Sequence, residues 1–251
     1  MKASQSMAFT IRIREVLLME YGEKAKEIAQ QVEGRLIVSC QAKMDSPLAF
    51  PYHLAAIAKA AEIGGAAGIR ANGPNNVSAI ARAVSIPIFD CHKREYPGYD
   101  VYITPTRNEA TESARHGANV IVIDGTKRKR PDRETVENLI EFIHDNLGLP
   151  VMADISILEE GLHCVDCGAD FVATTLSGYT DYSRPPEGPD LDLVERLAYR
   201  VRVPVIAEGR YKTPEMAKRA LTKGAHAVVV GTAITAPNAI TTWYCQALHD
   251  R

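Results

Sequence analysis

Apolar runs in this chain repeatedly end in a residue that can do polar chemistry. At or just after those ends stand Gln41, Arg70, Lys93, Asp124, Asp154, Thr174 with Thr175, Glu208 and Gly231. A lysine and a carboxylate in one site can remove and return a proton, and a nearby cation stabilises the anion formed between those steps. The run Val203-Pro204-Val205-Ile206-Ala207 breaks into Glu208-Gly209-Arg210, and Ala227-Val228-Val229-Val230 breaks into Gly231-Thr232-Ala233. Glycine at such breaks lets backbone N–H groups approach an anion closely, and Arg210 adds a charged donor. The ligand this suggests is a phosphate, although two plain strand–helix turns would use the same glycines.

These residues matter only if the fold brings them together. Two phrases alternate along the chain. One is Gly-Ala-x before an apolar run, at Gly117-Ala118, Gly168-Ala169 and Gly224-Ala225, with a weaker copy at Gly65-Ala66. The other is apolar-Pro-apolar, at Pro87, Pro150 and Pro204. Glycine ends each helix, proline marks each strand entry, and helical patterns lie between. With Leu36 to Gln41 as the first, eight strands are expected, which implies a parallel sheet. A doubly wound open sheet is the rival. Repetition by pairs and the phosphate-like last two strands favour closure into a single (β/α)8 TIM barrel, for which 251 residues is the right length. All strand ends then converge on one mouth. Glu15 to Val32 predicts an additional N-terminal helix over the barrel bottom, from apolar positions including Tyr21, Ala25, Ile28 and Val32. The expected division is an N-terminal extension over 1–33 and a barrel over 34–251. Ser177 to Asp190 follows strand 6 without periodicity and reads as a lid or a wall of the site. Ile240, Trp243, Tyr244 and Leu248 give a last helix that packs on its own barrel or on a neighbour.

The net charge of −2 gives no reason to expect nucleic acid or an anionic membrane as a partner. No apolar run has the length of a membrane span, and the first residues carry no secretory leader pattern. Five cysteines without a disulfide framework point to a reducing cytoplasm. Seven histidines are scattered without ligand spacing, so no metal is expected. Cys164-Val165-Asp166-Cys167 lacks a second ligand pair and reads as helix packing. The basic run Lys127 to Arg130 follows a strand end and reads as a loop near an anionic substrate. Asp-x-Lys-x-x-Asp, the array of sugar-phosphate decarboxylase barrels, is absent.

Several blocks are more specific. Leu36-Ile37-Val38-Ser39-Cys40-Gln41, Gly68-Ile69-Arg70-Ala71-Asn72-Gly73, Lys93-Arg94-Glu95-Tyr96-Pro97, Met152-Ala153-Asp154-Ile155-Ser156, Thr174-Thr175-Leu176-Ser177-Gly178 and Ile206-Ala207-Glu208-Gly209-Arg210 occur in this order. With Tyr102 to Thr106 and Thr126 to Pro131, the chain from Gly34 to Tyr244 resembles the N-acetylmannosamine-6-phosphate 2-epimerases of bacterial sialic-acid catabolism. The resemblance implies an isomerase that converts N-acetylmannosamine 6-phosphate to N-acetylglucosamine 6-phosphate without a cofactor. It implies Lys93 as the acid–base residue and Glu208 as a second catalytic or orienting carboxylate. Gln41, Arg70, Asp154, Thr175 and the Asp124 strand end would face the sugar, and Gly209, Arg210, Gly231 and Thr232 the phosphate. It also implies a homodimer. The chain departs from the family at Asp90, Cys91 and His92, where apolar residues are usual, and at Ala236, where arginine is usual. The second departure leaves Arg210 or another basic residue to supply charge.

Inversion at C2 of a 2-acetamido sugar requires ring opening, because the C2–H is acidic only beside a C1 aldehyde. Removal of that proton gives an enediolate-type anion. A lysine serves as base once burial or nearby cations disfavour its charged form, with Arg70 and Arg94 as candidates. Either Lys93 removes and returns the proton, or Lys93 and Glu208 act from opposite faces. The alternatives to this activity are another phosphosugar isomerase, epimerase or decarboxylase, and a non-catalytic phosphosugar-binding regulator.

Overall fold

The computed structural model describes residues 21–43, 45–185 and 187–249. Eight parallel strands close into a barrel in sequence order, β1 pairing with both β2 and β8. They are β1 (Leu36–Ser39), β2 (Gly68–Ala71), β3 (Ile88–Asp90), β4 (Val120–Asp124), β5 (Val151–Asp154), β6 (Phe171–Ala173), β7 (Val205–Glu208) and β8 (Ala227–Val230). The helices around it include α1 (21–32), α2 (Pro51–Ile63), α3 (Pro74–Ala81), α4 (Arg107–Arg115), α5 (Val136–Phe142), α6 (Leu158–Asp166), α7 (Leu191–Arg200) and α8 (Pro214–Thr222). A four-residue α9 (Thr232–Thr235) and the long α10 (Pro237–His249) follow β8.

The two sequence phrases build the ladder. Pro87, Pro150 and Pro204 each accept at their carbonyl from the neighbouring strand, through Ile69, Ile121 and Val172, and each stands just before its strand begins, where the missing proline N–H costs no ladder bond. Gly117, Gly168 and Gly224 have φ of 103°, 98° and 93°, conformations that suit glycine at a helix end. At Gly224 a Cβ would also come within 2.7 Å of Ala198.

Side chains alternate along each strand. Ile37, Phe89, Val120, Val122, Met152, Phe171, Ile206, Ala227 and Val229 fill the barrel, with Phe89 edge-on to Phe171 at 6.0 Å. Gly68 faces them; a Cβ there would lie 3.1 Å from the Phe89 ring. The opposite parity, including Val38, Ile69, Ile121, Ala153 and Val228, packs under the helices. Ile28 and Val32 of α1 join the interior cluster, His226 Nε2 contacts the Ala29 carbonyl at 2.8 Å, and Tyr21 stacks on His144 at 4.0 Å. The expected first turns of this helix, from Glu15 to Glu20, lie outside the described residues.

Candidate active site

Parity explains which polar residues reach the mouth. Ser39, Arg70, Asp124, Asp154 and Glu208 each stand two positions beyond an inward-facing residue, so they cap the filled interior at the C-terminal rim. Above them opens a cavity of about 530 Å³. Its wall includes Gln41, Arg70, Lys93, Thr175, Glu208, Gly209, Arg210, Gly231 and Thr232. Asp124 and Asp154 lie outside that wall.

Asp154 stands behind Arg70. The Arg70 guanidinium is 1 % exposed and grips Asp154 at both oxygens, at 3.1 and 2.5 Å, while its Nη1 lies 3.0 Å from Glu208 Oε2. Burial alone would pull the guanidinium down; the Asp154 and Glu208 carboxylates outweigh it and hold Arg70 well above its ordinary value. Thr175 Oγ1 donates to Asp154 at 2.7 Å. Glu208 opens onto the cavity with 14 % of its side chain exposed. Burial, partly opposed by Arg70 and reinforced by Asp154, pushes its carboxyl up to about 6.

Lys93 stands three residues beyond β3, on a hairpin whose arms meet through an antiparallel bridge to Ile103. Its backbone N–H donates to Asn72 Oδ1 at 2.8 Å, and its ammonium donates to Gln41 Oε1 at 2.7 Å. Gln41 in turn donates to Ser39 Oγ at 2.9 Å. Lys93 is exposed at the wall rather than buried, because the hairpin lifts it above the rim. Arg94 is not the second cation expected beside it: its guanidinium pairs with buried Glu109 at 3.2 Å and stacks near Tyr96. Glu109 also accepts from Tyr96 and Thr106 and closes the capping box of α4, which anchors the hairpin to the barrel. The unusual Asp90 points outward, where it accepts from Gly73 N–H at 3.1 Å and Ser113 Oγ at 2.5 Å. It thereby fixes the turn that presents Asn72 to Lys93.

The basic run divides. Arg128 binds Asp124 at 2.6 Å, and Asp124 also accepts from Thr126, so that carboxylate is engaged within its own loop. Arg130 is buried and donates to the carbonyls of Thr104 and Pro105. Lys127 lies 3.9 Å from the Tyr182 ring centroid.

The residues expected to face an anion lie in the same wall. Gly209 has φ of 115° and Arg210 has φ of 62°, a left-handed conformation that is uncommon outside glycine. It turns the Arg210 guanidinium onto the Ser177 carbonyl at 2.9 Å and over the Tyr179 ring at 4.4 Å. Gly231 caps α9 directly above Ser39, and a Cβ there would lie 3.1 Å from the Ser39 Cβ. The loop after β6 forms a wall: Thr180 and Ser183 are buried, Ser183 accepts from Gly178 and Thr180 N–H, and Ser177 ties to Asp190 at 2.5 Å. Among the described residues no cluster of three or more His, Cys, Asp or Glu is arranged to hold a metal, and no helix is long and apolar enough to cross a membrane.

Residues 54–250 match the family model described as "Putative N-acetylmannosamine-6-phosphate epimerase". The chain belongs to this family. A relative from Caldanaerobacter subterraneus subsp. tengcongensis, named "Putative N-acetylmannosamine-6-phosphate 2-epimerase", is 50% identical over 226 residues, covering 90% of this chain and 95% of its own. A relative of the same name from Clostridioides difficile is 45% identical over 218 residues, covering 87% of this chain and 97% of its own. The solved structure of the N-acetylmannosamine-6-phosphate 2-epimerase from Clostridium perfringens is similar at a TM-score of 0.85 and 45% identity, covering 87% of this chain and 95% of that one.

Within this epimerase-family barrel, sequence reasoning missed several members of the site. Asn72 follows β2 by one residue and holds Lys93, yet its role depends on a hairpin that bends back over it. Lys212, Tyr102 and Trp243 also line the cavity, Trp243 reaching it from α10. Trp243 is the single tryptophan of the chain, which is the one signal that singles it out in sequence.

Proposed function

We propose that this chain interconverts N-acetylmannosamine 6-phosphate and N-acetylglucosamine 6-phosphate by deprotonation and reprotonation at C2, without a cofactor. The observation that carries the reading is one cavity whose wall holds Lys93 and Glu208 together with Gly209, Arg210, Gly231 and Thr232, in a chain of this family. In the open-chain sugar the reacting form has Lys93 neutral and Glu208 protonated: Lys93 takes the C2 proton and the electron pair moves onto the C1 oxygen as an enolate. Glu208 gives a proton to the opposite face of C2, and the carbonyl re-forms. A carboxyl held near pH 6 suits both giving and taking a proton, which favours this two-residue scheme over Lys93 alone. Gln41 steadies the lysine, Arg70 orients Glu208, and Asp154 with Thr175 fixes Arg70. Asp124, engaged by Arg128 and Thr126, is assigned no contact with the sugar. The phosphate rests on Gly209, Arg210, Gly231 and Thr232, and its binding holds the reacting carbon in place.

Proton NMR in D2O with N-acetylmannosamine 6-phosphate tests the reading. Formation of N-acetylglucosamine 6-phosphate with deuterium at C2 is expected. Absence of turnover with the phosphosugar still bound would overturn it in favour of a binding protein.

The pH profile follows from Glu208. Its carboxylate is present above about pH 6 and lost below it. With Lys93 and Glu208 both carrying protons no base remains, so kcat/KM is expected to fall as pH drops through that value. Forward and reverse reactions share one equilibrium constant, so both directions show the same limb. The substrate phosphate takes up a proton near the same pH; Glu208→Gln retains that contribution and loses the enzyme's own. An unchanged acid limb in Glu208→Gln would remove Glu208 from proton transfer.

The same reading includes a cytoplasmic homodimer. α10 buries none of its residues, and Tyr244 and Leu248 are 71% and 74% exposed. An apolar helix face of this kind supports self-association. Light scattering is expected to give a dimer, and Tyr244→Glu with Leu248→Glu a monomer. A monomeric parent at micromolar concentration would refute it.

A further inference from the structure

We propose that Lys212 is a substrate-binding residue that supplies the unengaged positive charge for the phosphate; the proposal rests on the epimerase reading. Lys212 lies in the cavity wall two residues after Arg210, on the segment that leads from β7 into α8. The other cations of that wall are committed. Arg70 is held by Asp154 and Glu208, Lys93 donates to Gln41, and Arg210 donates to the Ser177 carbonyl while lying over Tyr179. The Lys212 ammonium sits 5.3 Å from the Trp243 ring centroid and, among the described residues, has no hydrogen-bond or ion-pair partner.

The carboxylate in the wall is Glu208, which already faces Arg70. No acidic side chain of the wall therefore neutralises Lys212. Ala236, which follows α9 in the same wall, offers a methyl group and no charge. A phosphate monoester carries a charge of about −1.5 to −2. Backbone N–H groups at Gly209 and Gly231 supply directed hydrogen bonds but no net charge, and Arg210 supplies one charge already shared with a carbonyl. A compact ammonium on a flexible stem suits the remainder, because it follows the phosphate oxygens without demanding a fixed fork. The Trp243 face gives the stem an apolar seat and the ammonium a favourable site before substrate arrives. The phosphate does not react, so this contact acts on substrate and transition state alike and its loss falls on KM more than on kcat.

Steady-state kinetics with N-acetylmannosamine 6-phosphate, and calorimetric titration with inorganic phosphate, test the assignment. Lys212→Ala is expected to raise KM and to weaken inorganic phosphate binding by about 10- to 100-fold, the range for a charge-assisted hydrogen bond. Lys212→Arg retains most of the affinity. Lys212→Ala combined with Ala236→Arg recovers part of the loss, since a guanidinium at position 236 enters the same wall. Unchanged phosphate affinity in Lys212→Ala, or a loss confined to kcat, would overturn the proposal. Should the parent bind phosphate but turn over no N-acetylmannosamine 6-phosphate, the activity reading fails, while the phosphate titration still decides the role of Lys212.

Discussion

Lys93→Ala is expected to lower kcat by about 10³-fold, the middle of the range for a positioned general acid–base group. The change removes little else. The side chain is exposed, its hydrogen bond goes to Gln41, and its position is set by backbone contacts to Asn72 and across the hairpin to Ile103. Stability is therefore expected to stay within about 0.5 kcal/mol of the parent. Lys93→Arg separates two explanations of the loss. Arginine retains a positive charge in the wall but does not give up its proton at working pH. If Lys93 acts as the base, Lys93→Arg falls as far as Lys93→Ala, and exchange of the C2 hydrogen with D2O stops in both. If Lys93 serves as a fixed cation beside the enolate, Lys93→Arg retains activity. A rate for Lys93→Ala within tenfold of the parent, measured by NMR under saturating substrate, would remove it from the chemistry altogether.

Arg70, Glu208 and Lys93, the residues proposed for the chemistry, differ in how they are held, and this explains how far each was legible in sequence. Arg70 and Glu208 sit on strands whose period of two assigns them inward directions, so the apolar runs before them nearly determine where they point. The barrel itself was legible for the same reason: the Gly-Ala and Pro phrases recur at corresponding ladder positions, where Pro87, Pro150 and Pro204 all accept from the preceding strand. Lys93 is past the end of β3, where strand periodicity no longer applies. Its direction comes from the antiparallel return at Ile103 and from Glu109, sixteen positions later in the chain, which gathers Arg94, Tyr96 and Thr106. Those contacts follow from tertiary folding of a loop, and neither spacing nor propensity announces them. Hence Arg94 reads in sequence as a neighbour of the lysine and in the structure as a strut of its hairpin. The same limit applies to Lys212 and Trp243, brought together from β7–α8 and α10. Asp124 is the converse case: parity sends it to the mouth, and Arg128 four residues later claims it.

The buried triad of Asp154, Arg70 and Glu208 gives the largest expected effect on stability. Arg70→Met keeps much of the side-chain volume and removes the charge. It leaves Asp154, with no exposed surface, and Glu208, with 14 % exposed, without their shared cation. Breaking a buried pair by removing one partner costs about 3–5 kcal/mol, because the remaining charge has neither water nor counterion. The pH dependence has a definite sign. Glu208 already titrates at about 6, and Arg70 is a factor pulling it down; without Arg70 it rises further above its unfolded value. A carboxyl raised on folding carries its penalty above its folded pKa and is relieved as pH falls through that pKa. The deficit of Arg70→Met, measured by urea unfolding, is therefore expected to be larger at pH 8 than at pH 5. Adding Asp154→Asn is expected to recover part of it, because removing both members of a pair costs less than stranding one. A deficit below about 1 kcal/mol at pH 8, or one that grows on acidification, would mean that water or a rearranged side chain replaces the guanidinium. The triad would then serve to orient Glu208 without holding the barrel mouth together.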